Sequence, residues 1–351
     1  MMTITALHPD LKKVIAAINF LSETGYSLNG LDRDIQKIRI KDPSNALADA
    51  GDTVIAMKQK YLNVLTTDIY NNLYHAGTEL QGQAPAYKHD GFIAALSKAN
   101  HGTGCWEDGW QYVGTDSRSG KVIARKKTLN FWIEQERVRP LNDGHCMVKI
   151  EKECRHLNSY FYYAYGNADK TQIAGYDGQS IRFYWNIQPA HAVAYIDVVT
   201  DLLNAKNILF TTKVLSDPAA YSRSDAAVLY IDRSQLDEVL AVIPQLYHAI
   251  RDGMKQSTPL FVKTLLPGLG LAEDPSNGLS FGISRSKLIA ETLYDCMLCG
   301  ISSQEQMEDA LSNALLKAGI SATHPYATTG NIKMYENIIN KYIQSWRSQQ
   351  Q

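Results

Sequence analysis

The 351-residue sequence predicts an α+β protein: a mainly helical N-terminal region, residues 1–118, precedes an α+β domain, residues 119–351, whose mixed, largely antiparallel sheet packs against helices. Three observations predict it. Before residue 77, apolar residues recur at three- and four-residue spacing, as on one face of a helix. From residue 121 the pattern changes to alternation rich in β-branched and aromatic residues, as in half-buried strands. Beyond residue 280 the helical period returns. Runs of strands followed by runs of helices define the α+β class.

Taken in order, residues 8–24 and 45–76 predict amphipathic helices, with Gly77 placed to cap the second. The polar, glycine-containing stretch that follows, including "GTELQGQAPAYKHDG" and "NHGTGCWEDGW", predicts loop around one short helix near 90–99. "GTDSRSG" then supplies a boundary near 115–120. "KVIARKKTLNFWIEQERV" alternates well enough for one or two strands, and "CMVKIEKECRHLNSYFYYAYG" continues in the same character. "SIRFYWNIQ" predicts a strand, "AHAVAYIDVVTDLLNAKN" a helix, "ILFTTKVL" and "AAVLYID" two more strands, and "SQLDEVLAVIPQLYHAIRDGM" a long helix. "LPGLGLAEDP" lacks the third glycine of a dinucleotide-binding loop and reads as a tight loop. Three helices are expected at 280–299, 303–318 and 331–347.

Composition narrows the function classes. With 45% hydrophobic residues, 20% charged residues and a net charge of −1, nothing global draws the chain to nucleic acid or to an acidic membrane. Any anion site has to be built locally. The N-terminus carries no apolar run of signal-peptide length and no stretch approaches a membrane span, so a cytoplasmic protein is expected. Five cysteines, an odd number, do not form a disulfide framework. Cys296 and Cys299 form a lone CxxC in helical sequence, while Cys146 and Cys154 are wrongly spaced for a second zinc-binding pair, so buried thiols are expected. The nine histidines show no ligand spacing, and His145, His156 and His191 read as structural or exposed. No P-loop, HExxH, GxSxG or GxGxxG is present, and neither a metal nor a cofactor is expected.

The informative residues are cations lodged in apolar or aromatic segments: Arg182 in "RFYWN", Lys213 ending "LFTTK", Arg223 in "YSRSD", Lys263 in "PLFVKTLL" and Arg285 one turn into "SFGISRSKLIA". One such residue is a snorkelling side chain or half of an ion pair. Five on converging segments suggest an anion site, with arginine forks for phosphate oxygens and the N–H groups of the helix start at 280–285 beside them. A partly desolvated lysine among cations sheds its proton more readily and suits a general base. The competing reading pairs Arg223 with Asp225 or Glu273 and leaves Lys213 facing water.

The segments "RFYWNIQP", "FTTKVLSDPAAYSRSDAAVLYID", "TPLFVKTLLPGLGLAEDPSNGLSFGISRSKLIA" and, more weakly, "DIYNNLYHAG" resemble the Hop A-type type III effector family, in this order over roughly residues 60 to 300. That family includes the phosphothreonine-lyase-like components of class V lanthipeptide and thioamitide biosynthesis. The resemblance implies a phosphothreonine-lyase-like fold and β-elimination of phosphate from phosphoserine or phosphothreonine, leaving dehydroamino acids in a ribosomally made peptide. It matches Lys213 to the base, Arg223 and Arg182 to phosphate-binding positions, and Tyr230 to a tyrosine lining the site. Arg285 corresponds more loosely to a second arginine, and Asn186 and Lys263 join the substrate-contacting set. Where those lyases have a general-acid histidine, this chain has Tyr184. The resemblance also implies a phosphorylated precursor peptide as substrate, a separate Ser/Thr kinase and a separate cyclase. The alternative is a non-catalytic phosphopeptide-binding or effector-like protein, secreted without a cleavable signal peptide.

Overall fold

The computed structural model of the protein describes residues 6–38, 54–75, 90–155 and 160–348. The chain opens with α1 (Pro9–Ala17) and an antiparallel meander of β1 (Ile18–Ser22), β2 (Gly25–Leu28) and β3 (Leu31–Asp34). Helix α2 (Val54–Ile69) runs on into a π-helical turn, Tyr70–Tyr74, and α3 (Asp90–Ala99) follows. A five-stranded sheet then takes in β4 (Cys105–Thr115), β5 (Val122–Lys126), β6 (Leu129–Ile133), β7 (Val138–Pro140) and β8 (His145–Ile150), in the order β6-β5-β4-β8-β7.

The central sheet has seven strands: β9 (Glu153–Cys154), β10 (Phe161–Tyr165), β11 (Ser180–Trp185), β12 (Phe210–Leu215), β13 (Ala227–Asp232), β14 (Lys263–Leu266) and β15 (Leu269–Glu273). Their order is β14-β15-β11-β13-β12-β10-β9, and every strand pairing among the described residues is antiparallel. Helix α4 (Ala192–Ala205), with α5 (Leu236–Ile250) packed on it, covers one face, where the hydroxyls of Tyr195 and Thr212 meet at 2.9 Å. The opposite face takes the π turn and α6 (Phe281–Leu298), where the rings of Phe281 and Tyr184 lie 6.2 Å apart. Helices α7 (Gln304–Lys317) and α8 (Ile332–Ser348) complete the chain. No described helix is long and apolar enough to cross a membrane.

The α+β class holds, and the C-terminal elements fall where their periodicity put them. Two stretches of the N-terminal third, read as helix and as loop, are strands. The helix expected over 8–24 stops at Ala17, because Asn29 and Gly30, both at positive φ, form the tight turn of a meander that recruits residues 18–34 into strands. "CWEDGW" is strand β4 rather than loop: Asp108 and Gly109 stand opposite the single residue Met147, and this bulge hides the alternation. "LPGLGLAEDP" is a hairpin, turning at Gly268 with φ of 72° and continuing as buried β15. The boundary placed at 118 falls in the turn between β4 and β5, which are paired neighbours in one sheet. Residues 45–53, Gly77 and His156 lie outside the described residues. All five cysteines are free; Cys146 and Cys296 are buried, whereas Cys299 is exposed.

One glycine sets how closely two elements approach. A Cβ at Gly282 would stand 2.4 Å from Cε1 of Tyr74, so the start of α6 reaches the π turn only because residue 282 has no side chain. Replacing Gly282 by alanine therefore forces the Tyr74 ring aside. We expect Gly282→Ala to destabilise the fold by about 1–3 kcal/mol, the usual cost of overpacking. Gly91→Ala, where a Cβ meets open space on α3, serves as the control. Denaturant midpoints measure both, and equal midpoints would show that the ring yields without cost.

Candidate functional site

Register brings the cations together. Tyr163, Lys213, Val228, Tyr184 and Gly270 form one row across β10, β12, β13, β11 and β15. Two residues along, Thr211, Tyr230, Arg182 and Ala272 form another. Directly paired residues share a face, and so do residues two apart in a strand. Lys213, Tyr230, Tyr184 and Arg182 therefore lie on the face covered by the π turn and α6. Tyr163, Thr211, Lys213 and Tyr230 are only partly buried, which leaves the β10–β13 side of this face accessible.

Lys213 sits between rings rather than in water. Its Nζ lies 4.1 Å from the ring centroid of Phe161 and 5.8 Å from that of Tyr230, and among the described residues nothing accepts a hydrogen bond from it. Burial pushes its pKa below the ordinary lysine value; the nearby Arg182 and Arg223 act in the same direction, against Tyr163 and Asp225.

Arg223 stands in the loop between β12 and β13. Its Nε and Nη2 donate to the two oxygens of Asp225, each at 2.8 Å, and Nη2 also donates to the Tyr70 hydroxyl at 3.0 Å. Burial alone would raise the pKa of Asp225, but Arg223 holds it at about 2. The loop is tied to the π turn a second time, because the His75 carbonyl accepts from both the backbone N–H and the hydroxyl of Ser224. Burial lowers the pKa of His75 to about 4, so its imidazole is neutral at pH 7. The π turn explains this reach: Tyr70 and Tyr74 stack with centroids 5.4 Å apart, and the His75 ring meets Tyr70 edge-on. Single π turns are a recurrent feature of functional sites.

Arg182 mirrors this arrangement. Its Nε and Nη2 donate to Oδ2 of Asp274 at 2.8 and 2.5 Å, and its guanidinium lies 5.2 Å from the Tyr230 ring centroid. Tyr230 thus stands between Arg182 and Lys213. Tyr184 is packed between Tyr74, Phe281 and Arg182, 3% exposed, and burial pushes its pKa up.

Three other sequence candidates do not join this surface. Asn186, just beyond β11, donates its Nδ2 to the Ser257 carbonyl at 2.8 Å and hydroxyl at 3.1 Å, pinning a loop. Lys263 pairs with Leu271, in the row of Phe183, and so faces away from Tyr184, into a cleft with His8, Asp10 and His324. Arg285 is buried against Phe281 and donates its Nε to the Pro325 carbonyl at 2.9 Å; burial lowers its pKa to about 10, so it stays charged. Its Nε is thereby committed to the chain around Pro325. Each competing expectation meets half of the geometry: Arg223 does pair with Asp225, yet Lys213 does not face water. Sequence reasoning missed Phe161, Asp274, Tyr70 and His75. The excess of tyrosine, 20 against 8 phenylalanines, was the available signal, since Tyr70, Tyr74, Tyr163, Tyr184 and Tyr230 converge here.

No curated protein matches the chain. Two solved effector structures from Pseudomonas syringae are similar to it. The effector from pathovar tomato strain DC3000 shares 16% identity at a TM-score of 0.43, over 77% of this chain and 95% of that one. The effector from pathovar syringae strain 61 shares 17% identity at a TM-score of 0.44, over 81% of this chain and 93% of that one. The family model that matches spans β10 to β15 together with Lys213, both arginines and both aspartates. Residues 154–327 match the HopA1 effector protein family.

Proposed function

We propose that this site eliminates phosphate from a phosphoserine or phosphothreonine in a ribosomally made peptide, leaving a dehydroamino acid. The observation that carries the reading is Lys213: a desolvated amine without a hydrogen-bond acceptor among the described residues, set between two arginines on a partly open sheet face. The Cα proton of the substrate passes to Nζ of Lys213. The electron pair of the Cα–H bond forms the Cα=Cβ bond, the Cβ–O bond breaks, and phosphate leaves with the electrons of the Cβ–O bond. Arg223 and Arg182 supply fixed N–H donors to the departing oxygens, already oriented by Asp225 and Asp274. Tyr184, kept protonated by burial, is a neutral donor on the same face. The substrate must arrive phosphorylated, so the reading implies a separate kinase and, where the dehydroamino acid is captured by a thiol, a separate cyclase.

A second reading, a phosphopeptide-holding effector-like protein without chemistry, draws on one observation. Tyr184, at the position of the general acid, is almost fully enclosed.

The decisive assay is mass spectrometry of phosphoserine and phosphothreonine peptides incubated with the protein. Lysine-dependent loss of phosphoric acid, leaving a thiol-trappable product, is expected. Lys213→Ala and Lys213→Arg should each lower elimination by about a hundred- to ten-thousandfold, the usual contribution of a general base. Binding of the phosphopeptide should be nearly unchanged. Turnover surviving in both variants would remove Lys213 from the mechanism, and intact phosphopeptide that stays bound to the unaltered protein would select the second reading.

The pH profile tests the same residue. Lys213 acts only when unprotonated, so kcat/KM should rise with pH and level off at an inflection below 10.5, because burial lowers the lysine pKa. An inflection at the ordinary lysine value would mean that burial does not activate it. Arg223→Ala should weaken binding of phosphorylated peptide far more than of its unphosphorylated counterpart, by isothermal titration. Equal losses would make Arg223 purely structural.

A further inference from the structure

Among the described sheet edges, all but one carry a feature that blunts them. Strand β3 reads Leu-Asp-Arg-Asp, and β1 breaks register between Phe20 and Ser22. Strand β9 is two residues long, and β14 carries Lys263 and an irregularity between Thr264 and Leu266. Strand β7 contains Arg139 and Pro140. Charge, proline, bulges and shortness all protect an edge from pairing with another chain.

Strand β6 has none of these. Its residues, Leu-Asn-Phe-Trp-Ile, carry no charge and no proline, and they pair with β5 in unbroken register from Val122 with Ile133 to Lys126 with Leu129. It is the end strand of its sheet, and Leu129, Phe131 and Trp132 are 63%, 41% and 55% exposed. One edge of β6 thus presents backbone N–H and C=O groups between large apolar side chains.

The flanks of β6 say what fits there. Lys127 precedes the strand and Glu136 follows it, both exposed, whereas Lys126 and Glu134 are already paired within the chain, with Glu107 and Lys121. An antiparallel partner of the same sequence, turned about a two-fold axis near Phe131, sets the basic end of one copy beside the acidic end of the other, twice. A parallel copy would bring like charges together. A contact of this kind is self-complementary and closes with two members. We propose that β6 pairs with β6 of a second copy of this chain, joining two five-stranded sheets into one continuous sheet. Leu129, Phe131 and Ile133 of both copies then share one face, and the two Trp132 side chains lie on the other.

Sedimentation velocity of the full chain across micromolar concentrations tests this, with twice the monomer mass expected. Trp132→Lys places a charge at the exposed edge and should return the protein to monomer with an unchanged far-ultraviolet circular dichroism spectrum. Lys127→Glu and Glu136→Lys, both at exposed positions, each set like charges together at both ends of the pair, so each alone should associate at least tenfold more weakly. Mixing the two variants should restore association, because one copy is then acidic and the other basic at every junction. A monomeric unaltered protein, or a dimer indifferent to Trp132→Lys, would overturn the proposal. Failure of the mixed variants to associate would overturn the antiparallel pairing.

Discussion

The pair between Arg223 and Asp225 governs the arrangement around it. A buried carboxylate is tolerated only when its charge is met at close range, and Arg223 meets it with both arms of its fork. The same guanidinium then reaches Tyr70, so one ion pair fixes the loop between β12 and β13 against the π turn. Loop, turn and sheet become a single unit around Lys213. With Asp274 matched to Arg182 in the same way, each arginine at the site is already balanced by an aspartate. The charge that remains variable is that of the lysine between them.

That balance has two sides. On the proposed reading, a phosphate dianion would meet donors rather than a large excess of positive charge, so attraction would depend on geometry more than on net field. The lysine also feels its cationic neighbours less than an unpaired pair of arginines would make it, and burial becomes the main cause of its lowered pKa. The rings of Phe161 and Tyr230 matter for the same reason. They exclude water from the ammonium while offering it only a weak electrostatic substitute.

Much of this was legible in the chain because charge is expensive inside a sheet. Arg182 among the Ile, Phe, Tyr and Trp of its strand marks a functional or paired position whatever the fold, and so does Lys213. The partners were less visible. Asp225 lies two residues from Arg223 and could be weighed, but Asp274 lies 92 residues from Arg182 and carries no local sign of the contact. Tyr70 and Tyr74, four apart, look like any helical stripe, and nothing in that spacing distinguishes a π turn from α-helix. Lys263 shows the opposite hazard. Side chains alternate along a strand, so unless the hairpin at Gly268 is recognised, nothing says which face of the sheet the lysine takes. The meander and β4 stayed hidden for a related reason: tight turns and a bulge break the periodicities by which strands are read.

The contact between Gly282 and Tyr74 bears on when the site comes into being. Its two sides lie some 200 positions apart in sequence, and the entropy of closing so long a loop must be met before the contact rewards it. During synthesis, the strands carrying Arg182, Lys213 and Arg223 leave the ribosome well before α6 does. Until α6 docks on the π turn, Lys213 has its rings and arginines but no roof over Tyr184. The face is therefore roofed only after nearly the whole polypeptide has been made, and a truncated or half-folded chain could carry every cation of the site without that cover.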